Sequence, residues 1–282
     1  MTTNCNSGCD ECSAECKDRE KNNVKEFLKE PLVTDSRVKK TIGIISGKGG
    51  VGKSLVTSLL AGIAAKEGKK TALMDGDITG PSIPKMFGMQ EQLYADEKGN
   101  IIPAISKNGT KIVSINLMLE NPSDPVVWRG PVIADIIKQF WSKVNWGDVD
   151  FMFIDMPPGT GDVALTVFQS VPVDGIIIVT TPQDLVSMIV KKAVKMAEMM
   201  KIPVLGLIEN MAYATCPDCG KKIEIFGKSG LENTAKHMGL QPIASLPIDP
   251  EVANFCDKGE IGNFKAPWLD EFRESIKKVL NF

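Results

Sequence analysis

Two lysines and a serine lie among closely spaced glycines in 45-IISGKGGVGKSLVTSLL-61, where a buried strand leads into a helix. Glycines let the backbone turn so that successive N–H groups face one point, and the start of a helix adds its own N–H groups. Such a point binds phosphate. Lys53 is placed to reach the β- and γ-phosphates of a nucleotide, and the Ser54 hydroxyl is placed to bind Mg²⁺.

The early lysine of this loop, Lys48, needs its own explanation, because one lysine suffices to hold a phosphate tail. A cation near a transferred phosphoryl group neutralises the charge that develops there. The alternative is that Lys48 caps local carbonyl groups or is solvated. The predicted nucleotide loop consists of Gly47, Lys48, Gly49, Gly50, Val51, Gly52, Lys53 and Ser54.

Carboxylates suited to a nucleotide–metal site stand where two predicted strands end. Asp75 and Asp77 open 75-DGDITGPSIP-84, and Asp155 ends the apolar run in 151-FMFIDMPPGTGD-162. Open parallel sheets bind ligands at the carboxyl ends of their strands. Ser54, Asp75 and Asp155 are therefore the predicted Mg²⁺ residues, although any single aspartate could instead cap a helix.

A second chemistry is indicated by 216-CPDCG-220. Two thiolates at this spacing bind one metal ion or one edge of a cluster. The lone His237 is predicted to be solvated, so Cys216 and Cys219 are half of a site that a symmetric dimer would complete with four thiolates. On spacing alone, zinc and an iron–sulfur cluster are equally good occupants.

Further cysteines lie in the polar N-terminal segment: Cys5, Cys9, Cys12 and Cys16. Four thiolates can hold a [4Fe-4S] cluster without a partner, and the alternatives are zinc or a redox-active tail. We predict that residues 1–38 are a mobile arm and that 39–282 form one domain. Cys256, alone after an apolar stretch, is predicted to be a small buried residue.

Strands that alternate with helices must position these groups. The apolar runs are 41-TIGIIS-46, 71-TALMD-75, 111-KIVSINL-117, 149-VDFMFID-155, 174-DGIIIVT-180, 203-PVLGLIE-209 and 241-QPIASLP-247. Helical patterns such as 53–68 and 184–200 separate them. This order predicts an α/β fold with a doubly wound, mostly parallel sheet buried on both faces. The balanced charges of the last helical pattern, 267–280, favour packing on the core over a membrane surface.

Composition limits the partners. The 282 residues include 33 basic and 35 acidic side chains, a net charge of −2, so no basic surplus suggests nucleic acid. No apolar run approaches the roughly 20 residues that span a bilayer, and the N-terminus does not resemble a signal peptide. We therefore expect no membrane partner and a cytoplasmic location.

The string 48-KGGVGKS-54 resembles the deviant Walker A signature of the P-loop class that includes the nitrogenase iron protein, the Min and Par ATPases and the arsenite-pump ATPases. Together with 75-DGDITGPSIP-84, 153-FIDMPPGTGD-162 and 209-ENMAYATCPDCG-220, it makes the chain similar to the Mrp/ApbC (Nbp-type) iron–sulfur cluster carrier ATPases. The shared motifs span about residues 40–260.

For the nucleotide, this resemblance implies a homodimer that binds and hydrolyses ATP with Mg²⁺. Lys48 would cross the dimer interface to the partner's nucleotide, and Asp77 would position the attacking water, which makes Lys48, Lys53 and Asp77 the implied catalytic residues. Asn210 and Asp249, the latter in 247-PIDP-250, are the implied adenine contacts.

For the cysteines, the resemblance implies that Cys216 and Cys219 hold a labile [4Fe-4S] cluster that bridges two subunits and passes to apo iron–sulfur client proteins. Family branches with four N-terminal cysteines place the first much further from the second, and the arm of this chain departs from that pattern.

Three other functions remain open from sequence. A Min/Par-type positioning ATPase predicts a basic membrane helix or DNA patch, and neither is evident in the sequence. A reductase resembling the nitrogenase iron protein places its two cysteines far apart in sequence. A zinc-stabilised nucleotide switch would use the same CxxC pair.

Overall fold

The structure is a computed structural model that describes residues 29–78, 80–119, 121, 130–159, 161–183 and 188–282. The arm cysteines Cys5, Cys9, Cys12 and Cys16 lie outside the described residues. The strands are β1 (Arg37–Ser46), β2 (Thr71–Asp75), β3 (Tyr94–Ala95), β4 (Ile101–Ile102), β5 (Ala104–Ile105), β6 (Lys111–Val113), β7 (Asp148–Asp155), β8 (Gly175–Thr180), β9 (Val204–Thr215), β10 (Lys222–Ile223) and β11 (Pro242–Ile248).

Helices follow most of the long strands. They are α1 (Lys53–Lys66), α2 (Ile83–Met86), α3 (Gly130–Ser142), α4 (Asp162–Ser170), α5 (Met188–Met200), α6 (Leu231–Met238), α7 (Pro250–Asp257) and α8 (Pro267–Leu280), with 3₁₀ turns at Ile115–Leu117 and Ile261–Asn263. None of the helices in the described ranges combines the length and apolar character that crossing a membrane requires.

The central sheet has the order β11-β9-β8-β1-β7-β2-β6-β5. Its neighbours are parallel except β5, which is antiparallel to β6, and the short β10, which is antiparallel to the far end of β9. The predicted doubly wound α/β fold is confirmed. Because β1 lies between β7 and β8, the loop after β1 opens at the crevice where ligands bind in such sheets.

Alternating strand residues build two cores, one on each face of the sheet. Ile176 and Ile178 of β8 pack with helices α3, α4 and α5, whereas Ile177 and Val179 pack with α1 and α8. Both faces are therefore covered, as the near-continuous apolar strands predicted. Helix α8 buries Leu269, Phe272, Ile276 and Leu280 in the second core, which confirms its predicted packing.

Three elements differ from the sequence prediction. The strand expected over 111–117 ends at Val113, because the chain turns out of the sheet with Leu117 N–H donating to the Ser114 carbonyl oxygen. Strand β9 instead runs six residues past the expected end, up to the cysteine pair. Strand β1 begins at Arg37, and upstream of it Trp141 Nε1 donates to the Glu30 carbonyl oxygen, so this part of the predicted arm contacts the domain.

Candidate nucleotide site and cysteine hairpin

The loop between β1 and α1 has the conformation that its glycines permit. Gly50 and Gly52 have φ of 81° and 80°, in the left-handed region that favours glycine. Gly52 is the N-cap of α1, so the first N–H groups of the helix face the loop. The side chain of Lys48 is exposed, and its carbonyl oxygen accepts a hydrogen bond from Ser46 Oγ at 2.9 Å.

Lys53 and Asp155 form the centre of the site. The Lys53 side chain is only 5% exposed, and its Nζ lies 2.7 Å from Asp155 Oδ1 and 3.5 Å from Asp77 Oδ2. Ser54 Oγ donates to Asp155 Oδ2 at 2.5 Å. Because burying an unpaired ammonium is costly, the ion pair with Asp155 offsets the burial of the Lys53 ammonium.

Two hydroxyl groups of this site were not predicted from the sequence. Thr57 Oγ1, one helical turn after Lys53, lies 3.1 Å from Asp155 Oδ1. Ser114 Oγ, at the end of β6, donates to Asp75 Oδ2 at 3.0 Å. The i,i+4 spacing could have indicated Thr57, but the Ser114 contact depends on the pairing of β6 with β2.

Asp75 and Asp155 are register partners on adjacent strands, and both are buried. Burial, and then the nearby negative charge of Asp155, raise the pKa of Asp75 to about 8. Burial also raises the pKa of Asp155, against the opposing effect of Lys53. Both causes favour the protonated form of Asp75 in the folded protein.

The raised pKa of Asp75 predicts a pH-dependent stability. The folded state keeps a proton that the unfolded state releases above its usual pKa of 3.8, so the stabilisation is complete below pH 4 and is lost as the pH rises to about 8. Compared with Asp75→Asn, the metal-free wild type should lose up to about 1.4 kcal/mol of unfolding free energy per pH unit in that window. Urea unfolding at several pH values measures this, and parallel pH profiles would contradict it.

Of the three predicted Mg²⁺ residues, Ser54 and Asp155 contact each other, whereas Asp75 accepts a hydrogen bond from Ser114. Ser54 and Asp155 place hydroxyl and carboxylate oxygens together, the donors that Mg²⁺ prefers. However, no group of three or more His, Cys, Asp or Glu side chains in the described part of the chain has the geometry to hold a metal ion. The donor set therefore fits an ion that takes its remaining ligands from water and nucleotide phosphates.

A mostly apolar cavity of about 300 Å³ lies beside the loop, with Leu55, Asn210, Phe226, Pro247, Asp249 and Trp268 among its lining residues. This volume is at the lower end of small-molecule sites. The structure thus brings the predicted adenine contacts Asn210 and Asp249 to one cavity next to the phosphate loop. Phe226 and Trp268 were not predicted from the sequence.

Asn210 is positioned by an irregularity in β9. Between Ser245 and Pro247, strand β11 advances two residues while β9 advances four, from Glu209 to Tyr213, and Met211 has φ of 56°. Bulges of this kind redirect side chains near functional sites. Asn210 Nδ2 donates to the Val51 carbonyl oxygen at 2.9 Å, which ties the phosphate loop to β9.

Asp249 has a local structural role. Its Oδ1 caps α7 by accepting from Glu251 N–H at 2.9 Å, and its Oδ2 accepts from Trp268 Nε1 at 2.8 Å. The loop that lines the cavity is therefore held by Asp249. Cys256 lines the same cavity and is half-buried, rather than fully buried as predicted, and burial raises the pKa of its thiol.

The cysteine pair occupies the turn between β9 and β10, and the end of β9, this turn and β10 together are called the cysteine hairpin. Cys216 N–H donates to the Lys221 carbonyl oxygen and Gly220 N–H to the Cys216 carbonyl oxygen, both at 2.9 Å, with Gly220 at φ 70°. Cys216 is half-buried and Cys219 is exposed. Backbone N–H groups of Cys219 and Asp218 lower the pKa of the Cys216 thiol, which favours the ligating thiolate. His237 is exposed on α6, as predicted.

Comparison with known proteins places this site in a family. The family model described as "ParA: NUBPL iron-transfer P-loop NTPase" matches residues 37–280. An iron–sulfur cluster carrier protein from Methanocaldococcus jannaschii is 41% identical over 282 residues, covering 98% of this chain and 96% of the relative.

Solved structures with the same fold are consistent with this family assignment. A nucleotide-binding protein from Archaeoglobus fulgidus in complex with ADP is 39% identical, with a TM-score of 0.74 over 83% of this chain and 91% of that one. The cell division protein MinD from Aquifex aeolicus shares the fold at 20% identity, with a TM-score of 0.57 over 86% and 97% of the two chains. From residue 37 to residue 280, then, this chain belongs to the NUBPL iron-transfer P-loop NTPase family.

Proposed function

We propose that this chain is an ATP-hydrolysing carrier that holds a [4Fe-4S] cluster between two subunits and passes it to apo-proteins. The observation that carries the proposal is the pair of the half-buried Cys216 and the exposed Cys219 just after β9, the strand that also supplies Asn210 to the nucleotide site. The name of the M. jannaschii relative, iron–sulfur cluster carrier protein, supports it.

Two thiolates per subunit are the basis for proposing a homodimer. Cluster irons of this type take four cysteine ligands, and the hairpin supplies two of them. A two-fold axis close to the hairpins would bring four thiolates together. The cluster is cargo, so partly exposed ligands at a turn suit its release better than a buried site would.

The nucleotide site supports ATP hydrolysis through its buried charges. We propose that ATP phosphates replace Asp155 as the partner of Lys53, which leaves the Asp155 carboxylate for Mg²⁺. Ser54 and Asp155 would hold the ion, which would neutralise phosphate charge. Asp77 lies 3.5 Å from Lys53 Nζ and is the group we propose to orient the attacking water.

The deciding experiment replaces both hairpin cysteines with alanine. After anaerobic reconstitution, Cys216→Ala/Cys219→Ala should lose about four iron and four sulfide per dimer and all transfer to an apo-aconitase-type client. Cys256→Ala is the matched control and should keep both, because its half-buried thiol lies at the nucleotide cavity and not in the turn that carries the cysteine pair. Unchanged transfer by the double variant would overturn the proposal.

The same measurement separates the alternatives. Zinc with no sulfide would favour the nucleotide switch, and a cluster that exchanges electrons but is never transferred would favour the reductase. For the arm, we propose a second cluster on Cys5, Cys9, Cys12 and Cys16, because four thiolates complete a site within one chain. The Cys216→Ala/Cys219→Ala variant should then retain some iron. Loss of that iron when the four arm cysteines are also replaced would show that the arm holds the second cluster.

A further inference from the structure

The chain segment that follows the cysteine pair reaches back to the nucleotide cavity. Residues 222–229, here called the return segment, are all exposed, and three of its apolar side chains are large: Ile223, Ile225 and Phe226 are 49%, 54% and 39% exposed. Phe226 lines the cavity that Asn210, Asp249 and Trp268 also line. The hairpin that carries Cys216 and Cys219 therefore also contributes a wall of the predicted base site.

A buried carboxylate fixes the other end of the return segment. Glu209 is fully buried one residue before Asn210, and its Oε2 accepts hydrogen bonds from Ser229 Oγ and, at 3.1 Å, from Ser245 Oγ. Ser229 ends the return segment, and Ser245 lies on β11, two residues before the cavity-lining Pro247 of the same strand. One side chain thus joins β9, the return segment and β11, three of the segments that contribute residues to the cavity.

Apart from the hydrogen bond from Ser229 to Glu209, few contacts hold β10 and the return segment on β9. Strand β10 pairs with β9 at only two positions, Lys222 with Thr215 and Ile223 with Ala214. A further contact is Lys222 Nζ, 4.2 Å from the centre of the Tyr213 ring. A group that packs on Phe226 therefore adds a substantial restraint to this segment.

We infer that Phe226 is a base-contacting residue, and that a purine bound in the cavity restrains the hairpin that carries the cysteine pair. The inference rests on the proposed nucleotide function. A purine has a flat apolar face, and an aromatic ring that is partly exposed beside a cavity gains contact area when such a face fills it. The two sites are then linked thermodynamically. If the bound purine changes the affinity of the cysteines for their ligand by some factor, that ligand changes the affinity for the purine by the same factor.

The test uses the full-length, reduced chain, freed of iron and zinc, with ADP and Mg²⁺ as the probe. Calorimetry gives the ADP affinity, and iodoacetamide alkylation, followed peptide by peptide with mass spectrometry, gives the reaction rates of Cys216 and Cys219. In the wild type, saturating ADP should slow their alkylation severalfold. Phe226→Ala should bind ADP on the order of tenfold more weakly, and saturating ADP should no longer slow the two hairpin thiols.

Three controls make the result specific. Ile225→Ala alters a neighbouring exposed residue that is not among the cavity-lining residues, and it should behave as the wild type. Phe226→Tyr keeps the ring and should restore both effects. Cys256 lines the cavity, so its protection by ADP in every variant reports saturation.

Each outcome decides something. Phe226→Ala with wild-type affinity and protection overturns the inference, and weaker binding with protection intact overturns the link to the cysteines. Because no cluster is transferred in this experiment, a wild type that protects its thiols but later delivers no cluster overturns only the carrier proposal. A wild type that binds ADP without protecting the thiols overturns only the inference.

Discussion

Lys48→Ala should lower ATP hydrolysis by about 10³-fold or more while ADP affinity stays within about threefold of the wild type. The two lysines of the loop differ in position: Lys53 is 5% exposed and paired with Asp155, whereas Lys48 is exposed at the tip. An exposed cation at this place suits a role towards a second subunit. Charge that develops on the transferred phosphoryl group is what a lysine from a partner would stabilise. Single-turnover hydrolysis and calorimetry with ADP measure the two quantities.

Action across the interface can be separated from action within one subunit. Lys48→Ala subunits keep a nucleotide site, and Gly52→Ala subunits are expected to lose theirs but keep Lys48. Mixed in equal amounts, two inactive variants should recover about a quarter of wild-type hydrolysis, because half of the dimers are mixed and each has one complete site. No recovery, with mixed dimers present, would contradict the trans role. Lys48→Arg is the charge-preserving control and should keep more activity than Lys48→Ala.

The parts of the fold that the sequence predicted are those that depend on local pattern. Apolar runs that are buried on both faces, such as β7 and β8, can be identified from composition alone, and the glycine spacing fixed the turn into α1. Asp75 and Asp155 were placed together because both end parallel strands, and they are indeed register partners. In these cases the spacing of apolar residues and the rule that ligands bind at the carboxyl ends of parallel strands determine where each residue lies.

What could not be predicted depends on contacts between distant segments. Ser114 lies just after β6 and donates a hydrogen bond to Asp75, which is 39 residues away in sequence. Nothing in the local sequence distinguishes Ser114 from other serines. Phe226 lies in an exposed turn, where an aromatic residue has no pattern to match, and its place at the cavity depends on the course of the return segment. The resemblance supplied Asn210, but not the bulge with Met211 at φ 56° that positions it.

Gly52→Ala should abolish measurable nucleotide binding, an affinity loss of about 100-fold or more, and should destabilise the nucleotide-free protein by about 2 kcal/mol. Two independent effects add at this residue. Its φ is 80°, where a side chain is strained, and an added Cβ would lie 2.2 Å from Asn210 Nδ2. The Asn210 amide is buried and bonded to the Val51 carbonyl oxygen, so it cannot move without losing that bond. The substitution therefore disturbs the phosphate loop and the base site together.

Gly68→Ala is the matched control for strain alone. Gly68 follows α1 with φ of 74°, and an added Cβ there would meet nothing within 4 Å. It should cost about 1 kcal/mol of unfolding free energy and leave ADP affinity unchanged. The Asn210 overlap can then be isolated by a double-mutant cycle: in an Asn210→Ala background, the extra destabilisation caused by Gly52→Ala should shrink towards that of Gly68→Ala. If the two substitutions are instead additive, the close approach of β9 to the phosphate loop does not explain the requirement for glycine at position 52, and backbone conformation alone must account for it.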